Sequence, residues 1–245
     1  MERPKGPSAF ALHLFAMACM LADHTALVFA PASAALLCVG RLAFPIFAFF
    51  VAEGSARTRS RRNYALRLGA AALAAEVPFD LMVYGRPFAP GGQNVLFTFL
   101  LALAALEIWQ RVPAGVSGRL AGLCATGAAA LAAGLLRTDY GAVGVLTVAT
   151  FALFRGDSAR ARGGQAVCLL LLHGLLAPSA TLALELWSLS ASLPLQSLAL
   201  AALPLLWAYR GRQGPHGPAV RRAFYAFYPL HMLALWAVSR VLQVH

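Results

Sequence analysis

Long apolar runs separated by short polar segments dominate the chain, and most of these runs approach the length of a membrane-spanning helix. Such a helix needs roughly 20 predominantly apolar residues. The pattern predicts an all-α fold, a polytopic transmembrane helical bundle of about nine spans that forms a single domain over residues 1–245. The predicted spans cover residues 9–30, 36–51, 64–83, 95–109, 120–136, 143–154, 166–189, 195–209 and 224–242.

The basic residues between the runs predict the orientation and decide one doubtful span. Pro178 could divide residues 164–193 into two short helices. If this stretch is one span and the N-terminus is inside, sixteen of the twenty Lys and Arg residues lie on the inner side. Membrane proteins show this bias, whereas two short helices would place the basic segment 210–222 outside. We therefore expect nine spans with a cytoplasmic N-terminus.

Composition and charge agree with a membrane protein. Hydrophobic residues make up 60% and charged residues 12% of the chain, whereas soluble domains have about 25% charged residues. The net charge of +11 can indicate a nucleic-acid partner, but the arginines cluster between apolar runs, so we expect membrane lipids and no nucleic acid. The basic start and the first apolar run also resemble a cleavable signal peptide. Asp23 and His24 inside that run favour its retention as the first span.

Ionisable groups inside the predicted spans are candidates for chemistry, because an Asp at a helix centre costs about 2.5–3.5 kcal/mol on insertion scales. His24 suits a general base, and the adjacent Asp23 could orient or charge it. Arg41, at the start of the second span, could pair with Asp23 or bind an anionic group. Pro45 predicts a kink in that span. The alternative for Asp23 and His24 is a charge pair that only fixes the depth of the first span.

Further polar groups lie in the third, fourth and last spans. Glu76 and Asp80 are four residues apart and share a helix face, so they could be acid–base groups, proton carriers or partners for Arg41, and a structural pair is the alternative. Asn94 has the position of a helix N-cap, and a role in a polar site stays open. Tyr228 and His231 lie one turn apart on one helix face and are further pocket or acid–base candidates, and the alternative for Tyr228 is an interfacial aromatic belt.

A basic loop follows the second span. Glu53 closes that span and is a further pocket candidate. The arginines after it are either a topology signal or a phosphate site for an anionic donor. They are Arg57, Arg59, Arg61 and Arg62. His173 and Glu185 stand alone and are predicted to be structural. The sequence has no metal-binding spacing and no phosphate-binding glycine loop, so no metal is expected.

Several polar motifs follow one another in an order that resembles the TraX family. The resemblance is dense over residues 12–110 and returns over residues 224–235. It rests on Asp23-His24, on residues 40–49, 52–54, 61–64, 76–80 and 94–98, and on the closing Phe227-Tyr228-Pro229-Leu230-His231. The intramembrane histidine followed by a Phe-Pro-x-Phe span also resembles the heparan-glucosaminide acetyltransferase group. The basic loop and the late histidine are similar to membrane acyltransferases that modify bacterial sugars.

The resemblance implies a multi-pass acetyltransferase of the bacterial cytoplasmic membrane. The family is associated with N-terminal acetylation of F-type pilin. Acetyl-CoA on the inner side would then be the acyl donor, with its phosphates held by the four loop arginines. A pilin N-terminus, or a sugar or amine of a cell-surface glycan, would be the acceptor. Two other classes stay open: a proton-coupled small-molecule transporter, which intramembrane Asp, Glu and His residues indicate, and a non-enzymatic pilus-assembly factor.

Overall fold

The computed structural model describes residues 6–177, 180–186 and 189–243, and this part of the chain is almost entirely helical. The helices are α1 (Ala9–Phe29), α2 (Ala34–Gly40), α3 (Ala43–Arg57), α4 (Arg61–Tyr84), α5 (Val95–Arg111), α6 (Val116–Leu135), α7 (Gly141–Leu153), α8 (Ala159–Leu169), α9 (Leu203–Ala208) and α10 (Pro218–Leu242). Between α8 and α9 lie a π-helical segment (Leu170–Leu176), the strands β1 (Thr181–Leu186) and β2 (Leu189–Pro194), and a 3₁₀ segment (Leu195–Ala202).

The chain divides into two compact units. The terminal unit comprises Met1–Phe47 and Asp157–His245, and the central unit comprises Ala48–Gly156. The terminal unit is therefore discontinuous in sequence, and it contains both the first and the last helix. Helix α3 begins in the terminal unit and ends in the central unit.

Polar contacts at both ends of the central unit show that its helices alternate in direction. At one end, Gln110 of α5 donates to the hydroxyl of Ser55 on α3 over 3.2 Å. At the other end, Gln93 and Thr138 pair through a parallel β-bridge. The first end collects Arg57, Arg59, Arg61, Arg62, Arg111, Arg119 and Arg155, and the second end has Arg86 and Arg137.

Among the described residues, three helical stretches have the length and hydropathy of membrane spans: Ala9–Phe29, Ala34–Arg57 and Val116–Leu135. Large apolar side chains on the helices face outward; Leu73 is 70% and Leu131 is 63% exposed. In lipid such side chains meet a solvent as apolar as themselves. The predicted helices at 9–30, 64–83, 95–109, 120–136, 143–154 and 224–242 are confirmed, with ends shifted by a few residues.

The predicted second span, residues 36–51, is two helices. Helix α2 ends at Gly40 and α3 begins at Ala43, so the chain breaks at Arg41 where a kink at Pro45 was expected. A proline has no amide hydrogen, and its ring clashes with the carbonyl four residues earlier, which here belongs to Arg41. The first helical turn tolerates both effects, and Pro45 lies in the first turn of α3.

The prediction of one span over residues 166–189 is wrong, whereas the all-α fold is confirmed for the described residues except for one pair of short strands. The helix that begins as α8 ends at Leu176, because the residue before a proline avoids the helical region. Ala177, which precedes Pro178 in the sequence, has the extended angles φ −73° and ψ 125°. Pro178 itself lies outside the described residues. The predicted span at 195–209 is helical, first as the 3₁₀ segment and then as α9.

Strands β1 and β2 form an antiparallel pair in place of the second half of the predicted span. Their register runs without a bulge from Thr181 opposite Pro194 to Leu186 opposite Leu189. The pair separates the two helical passages of this region, Ala159–Leu176 and Leu195–Ala208. The side chain of Glu185 lies outside the described part of the structure.

Helices α1 and α10 of the terminal unit run parallel, side by side. The amide of Ala9 donates to the Arg212 carbonyl over 2.7 Å, which brings the start of α1 to the loop before α10. One turn further, the rings of His13 and Phe224 stack with centroids 5.3 Å apart. The same pair of helices brings His24 to His231 further along. This parallel arrangement builds the site described next.

Candidate functional site

The imidazole rings of His24 and His231 lie edge to edge between α1 and α10. Nδ1 of His24 is 2.7 Å from Nε2 of His231. The ring centroids are 4.9 Å apart and the ring planes differ by 13°, so two nearly coplanar rings share an in-plane hydrogen bond. His231 is buried and stacks on Phe227, and Tyr228 contacts both imidazoles. Tyr228 and His231 therefore share one face of α10, as their spacing predicts.

The hydrogen-bond pattern assigns the protons on this pair. Nδ1 of His231 lies 2.8 Å from the Phe227 carbonyl oxygen, and a carbonyl oxygen only accepts, so this nitrogen carries a hydrogen. In neutral rings, Nε2 of His231 then accepts from the Nδ1 hydrogen of His24. Nε2 of His24 keeps its lone pair and has no hydrogen-bond partner among the described residues. His231, rather than Asp23, is thus the group that is hydrogen-bonded to His24.

Asp23 forms an ion pair with Arg41, and both side chains are largely withdrawn from the surface, with 23% and 19% exposure. Arg41 also donates from Nη1 to Oε1 of Gln196 over 2.9 Å. The amide nitrogen of Gln196 lies 3.3 Å from Nδ1 of His173. A continuous polar network thus links α1 to the π-helical segment. Pairing with Asp23, one of the two roles predicted for Arg41, is confirmed.

Gln196 is the member of this network that the sequence reasoning missed. It lies in the 3₁₀ segment and is 4% exposed. A buried amide in an apolar segment needs hydrogen-bond partners. A polar residue inside an apolar run is the signal that singled out the charged residues, and the same signal applies to Gln196. His173, which the sequence predicts to be structural, is fully buried and packs against the ring of Phe44. Its π-helical segment is of a kind that often occurs at functional sites.

Gly40 allows α2 to approach Asp23 closely. A Cβ atom at this position would overlap the Asp23 carboxyl group. Any larger residue would therefore displace the carboxylate that bonds Arg41. The small residue before Arg41 is thus a requirement of the ion pair and not only of the helix end.

Glu76, Asp80 and Asn94 come together in the central unit. Asn94 caps α5, since its side-chain oxygen accepts from the Leu96 amide over 3.0 Å, and the predicted N-cap is confirmed. Oε2 of Glu76 accepts from the backbone and side-chain nitrogens of Asn94. Oδ2 of Asp80 accepts from the amide of Ala89 over 2.8 Å. One oxygen of each carboxyl group therefore anchors the loop between α4 and α5.

The second oxygen of each of these carboxyl groups is buried. Oε1 of Glu76 and Oδ1 of Asp80 have no hydrogen-bond partner among the described residues. Buried polar atoms of this kind are uncommon in folded proteins. The arrangement thus gives Glu76 and Asp80 a structural role in holding this loop, while one oxygen of each group stays buried without a partner among the described residues.

Replacing Asn94 with alanine is expected to destabilise the protein. The substitution removes an N-cap, which contributes about 0.5–2 kcal/mol, and it also takes a donor from Glu76. The measurement is thermal unfolding of the detergent-solubilised protein. Asn63→Ala, at an exposed position near the start of α4, is the matched control and should leave the unfolding temperature unchanged. Equal unfolding temperatures for the two variants would contradict the structural role of Asn94.

The opposite end of the central unit carries the basic loop. Glu53, which is 8% exposed, accepts from Nε of Arg155 over 2.6 Å and pairs with Arg57 at 2.7 Å. Hydrogen bonding to Glu53 raises the pKa of Arg155. The carboxylate thus pairs with arginines, and all four predicted donor-binding arginines are exposed: Arg57, Arg59, Arg61 and Arg62.

Within the described ranges, no three or more His, Cys, Asp or Glu side chains are grouped so that they could hold a metal ion. The residues singled out in the sequence fall instead into three clusters. The terminal unit has one cluster, around His24 and Arg41. The central unit has the Glu76 cluster and the basic loop at opposite ends of α4.

The apolar helices expose leucines and enclose a small set of ion-paired and imidazole side chains. These features define a membrane protein. The chain belongs to the TraX family: the family described as TraX protein matches residues 8–239. A curated relative, the probable fimbrial assembly protein FimC of serogroup H1 from Dichelobacter nodosus, is 31% identical over 99% of this chain and 100% of its own length. No solved structure matches the chain.

Proposed function

We propose that the protein crosses the bacterial cytoplasmic membrane nine times with its N-terminus inside. The helical passages are α1, α2 with α3, α4, α5, α6, α7, α8 with the π-helical segment, the 3₁₀ segment with α9, and α10. Support comes from the central unit, where the arginines collect at one end of alternating helices, as the positive-inside bias requires. The hairpin between the seventh and eighth passages keeps the basic segment 210–222 inside.

We propose further that the protein is an acetyltransferase in which His24 is the general base. The observation that carries this proposal is the lone pair on Nε2 of His24, which the bond from Nδ1 to His231 leaves available. In enzymes a base is commonly oriented by a third group in this way. His231 would act as a positioning residue, because it bonds to the base and not to the substrate.

The reaction follows from this protonation state. Nε2 of His24 takes the proton of a neutral amine or of a hydroxyl group as that nitrogen or oxygen attacks the thioester carbon of acetyl-CoA. The carbon–sulfur bond then breaks, and the proton passes from His24 to the sulfur of CoA. Arg41 would support the reaction indirectly, since its charge is matched by Asp23.

The acceptor class is taken from the relative's name together with the site. The relative that matches over its full length is named a probable fimbrial assembly protein, and this name supports a role in pilus biogenesis. A free protein N-terminus, such as that of a pilin, carries the amine that a neutral imidazole would deprotonate. An amino or hydroxyl group of a cell-surface sugar has the same chemistry and is the alternative acceptor.

A transfer assay tests the proposal. Purified protein in lipid nanodiscs is incubated with isotope-labelled acetyl-CoA and either a peptide with a free N-terminus or an amino sugar. We expect label on one of these acceptors, located by mass spectrometry. Solute flux driven by a pH gradient in liposomes, without any transfer of label, would overturn the enzymatic proposal and favour a transporter.

A further inference from the structure

Two groups of the same construction lie at the basic end of the central unit. In the first, Glu53 is bonded by Arg57 and Arg155. In the second, Glu107 pairs with Arg111 at 2.6 Å and with Arg61 at 3.5 Å. Each group thus has one shielded carboxylate flanked by two arginines. We call them the Glu53 group and the Glu107 group.

The two groups are held next to each other. Ser55, two residues after Glu53, accepts a hydrogen bond from Gln110, three residues after Glu107. The ring of Tyr64 packs against Gly54, where an added Cβ would lie 3.1 Å from the Tyr64 oxygen. The ends of α3 and α5 and the start of α4 are therefore fixed relative to one another. Arg57, Arg61 and Arg111 extend from these helix ends, and Arg155 is joined to them through its bonds to Glu53.

The carboxylates hold the arginines in place while leaving much of each guanidinium group outside. The side chains of Glu53 and Glu107 are 11% and 24% exposed, whereas those of Arg57 and Arg155 are 47% and 44% exposed. Nη1 of Arg155 and Nε and Nη1 of Arg57 have no partner among the described residues. Positioned guanidinium donors of this kind suit phosphate oxygens.

The charge balance favours an anion. The two groups contain four arginines and two carboxylates, and the exposed Arg59 and Arg62 lie in the same loop. The net charge is +4 with these two included. A single phosphate, with a charge of about −2, would leave roughly half of this charge unmatched, whereas a pyrophosphate or a larger polyphosphate carries more negative charge to balance it.

We propose that the Glu53 group and the Glu107 group together bind the polyphosphate part of a soluble donor. Arg155 and Arg111 would bind it alongside Arg57 and Arg61, and Glu53 and Glu107 would be positioning residues rather than acid–base groups. The choice of a nucleotide-type donor rests on the proposed function, since coenzyme A carries a pyrophosphate and a further phosphate. Binding of phosphate itself does not depend on the transfer reaction.

The test is a binding measurement on the full chain in nanodiscs of phosphatidylcholine, with coenzyme A and inorganic pyrophosphate as probes. Arg155→Gln should weaken binding of both probes about tenfold, the factor for roughly 1.4 kcal/mol. Arg119→Gln is the matched control, because Arg119 is an exposed arginine at the same end and outside both groups. Equal losses for the two variants would overturn the proposal in favour of diffuse charge attraction.

Two further variants distinguish a positioned site from a charged surface. Glu53→Gln removes a negative charge, so simple attraction predicts tighter binding, whereas a positioned site predicts weaker binding because the arginines lose their anchor. Arg155→Lys keeps the charge but loses the fork geometry, and it should weaken binding as Arg155→Gln does. Unchanged binding by Arg155→Lys would overturn the proposal even if the Glu53 variant failed to fold.

The remaining outcomes separate this proposal from the proposed function. If pyrophosphate binds with the expected dependence on Arg155 but no acetyl group is transferred, the binding site stands and the acetyltransferase proposal fails. If neither probe binds the wild-type protein, the site is overturned. If adding phosphatidylglycerol to the nanodiscs displaces pyrophosphate, the arginines bind lipid head groups and a soluble donor is excluded.

Discussion

Replacing His24 with alanine is expected to lower the rate of acetyl transfer by roughly 10²–10⁴-fold, the contribution of a general base. The reason is that Nε2 of His24 has the free lone pair of the imidazole pair, while Nε2 of His231 is occupied by the hydrogen bond between the rings. The measurement is the rate of label transfer at saturating acetyl-CoA. A His24→Ala protein that transfers label at the wild-type rate would remove His24 from the mechanism.

Variants at two other histidines test whether the loss of rate is specific to the imidazole pair. His216→Ala changes an exposed histidine in the loop before α10 and should leave the rate unchanged. At His231, leucine removes the acceptor for the His24 hydrogen, whereas the amide oxygen of glutamine can replace it. His231→Gln should therefore retain much of the rate that His231→Leu loses, while a purely packing role would give similar losses for both.

Replacing Arg41 with glutamine is expected to destabilise the protein by about 3 kcal/mol, near the lower end for breaking a buried ion pair. The lower end applies because the Asp23 and Arg41 side chains are 23% and 19% exposed. The substitution leaves the Asp23 carboxylate without its counter-charge in apolar surroundings. The measurement is unfolding of the detergent-solubilised protein by increasing denaturant.

The double variant Asp23→Asn, Arg41→Gln tests whether the loss comes from the uncompensated charge. It should recover much of the stability, because neither amide leaves a buried charge. Arg240→Gln, at an exposed position in α10, is the control and should have little effect. If the double variant is as unstable as Arg41→Gln alone, the ion pair is not the source of the loss. A stable but inactive double variant would show that the Asp23–Arg41 pair has a part in transfer beyond stability.

Hydrophobic periodicity and length predicted most helices, because lipid imposes a simple requirement on each span separately. Helices α4 and α10 illustrate this: each begins three to six residues before its predicted span and ends within one residue of it. The requirement does not extend to short apolar segments. Residues 181–186 and 189–194 lie in a largely apolar stretch, but Pro178 separates them from α8 in the sequence, and they pair as strands.

An ion pair between consecutive spans could also be predicted from the sequence. Arg41 and Asp23 are opposite charges 18 residues apart on consecutive predicted spans, and they form the expected ion pair. The partner of His24 was not predictable in this way. His231 is 207 residues away, and which two helices of a bundle are neighbours depends on packing that a hydropathy pattern does not record.

Gln196 shows a third limit on predicting the site from the sequence. The insertion cost singles out ionisable groups, and an uncharged amide such as that of Gln196 is not among them. The two-sided hydrogen bonding of amides nevertheless makes them connectors, and Gln196 accepts from Arg41 while its nitrogen faces His173. An amide inside an apolar run is thus a useful signal for a polar network, although it does not identify the partners.

The imidazole pair has a consequence for how the protein is made. A ribosome adds roughly 5–20 residues per second, so His24 is synthesised about 10–40 seconds before His231. The central unit is a continuous stretch, Ala48–Gly156, and its helices are all present before α8 is translated. Synthesis that stops short of α10 would therefore yield a chain with every residue of the central unit and only half of the imidazole pair. The hydrogen bond between the two rings can therefore form only after α10 has been synthesised.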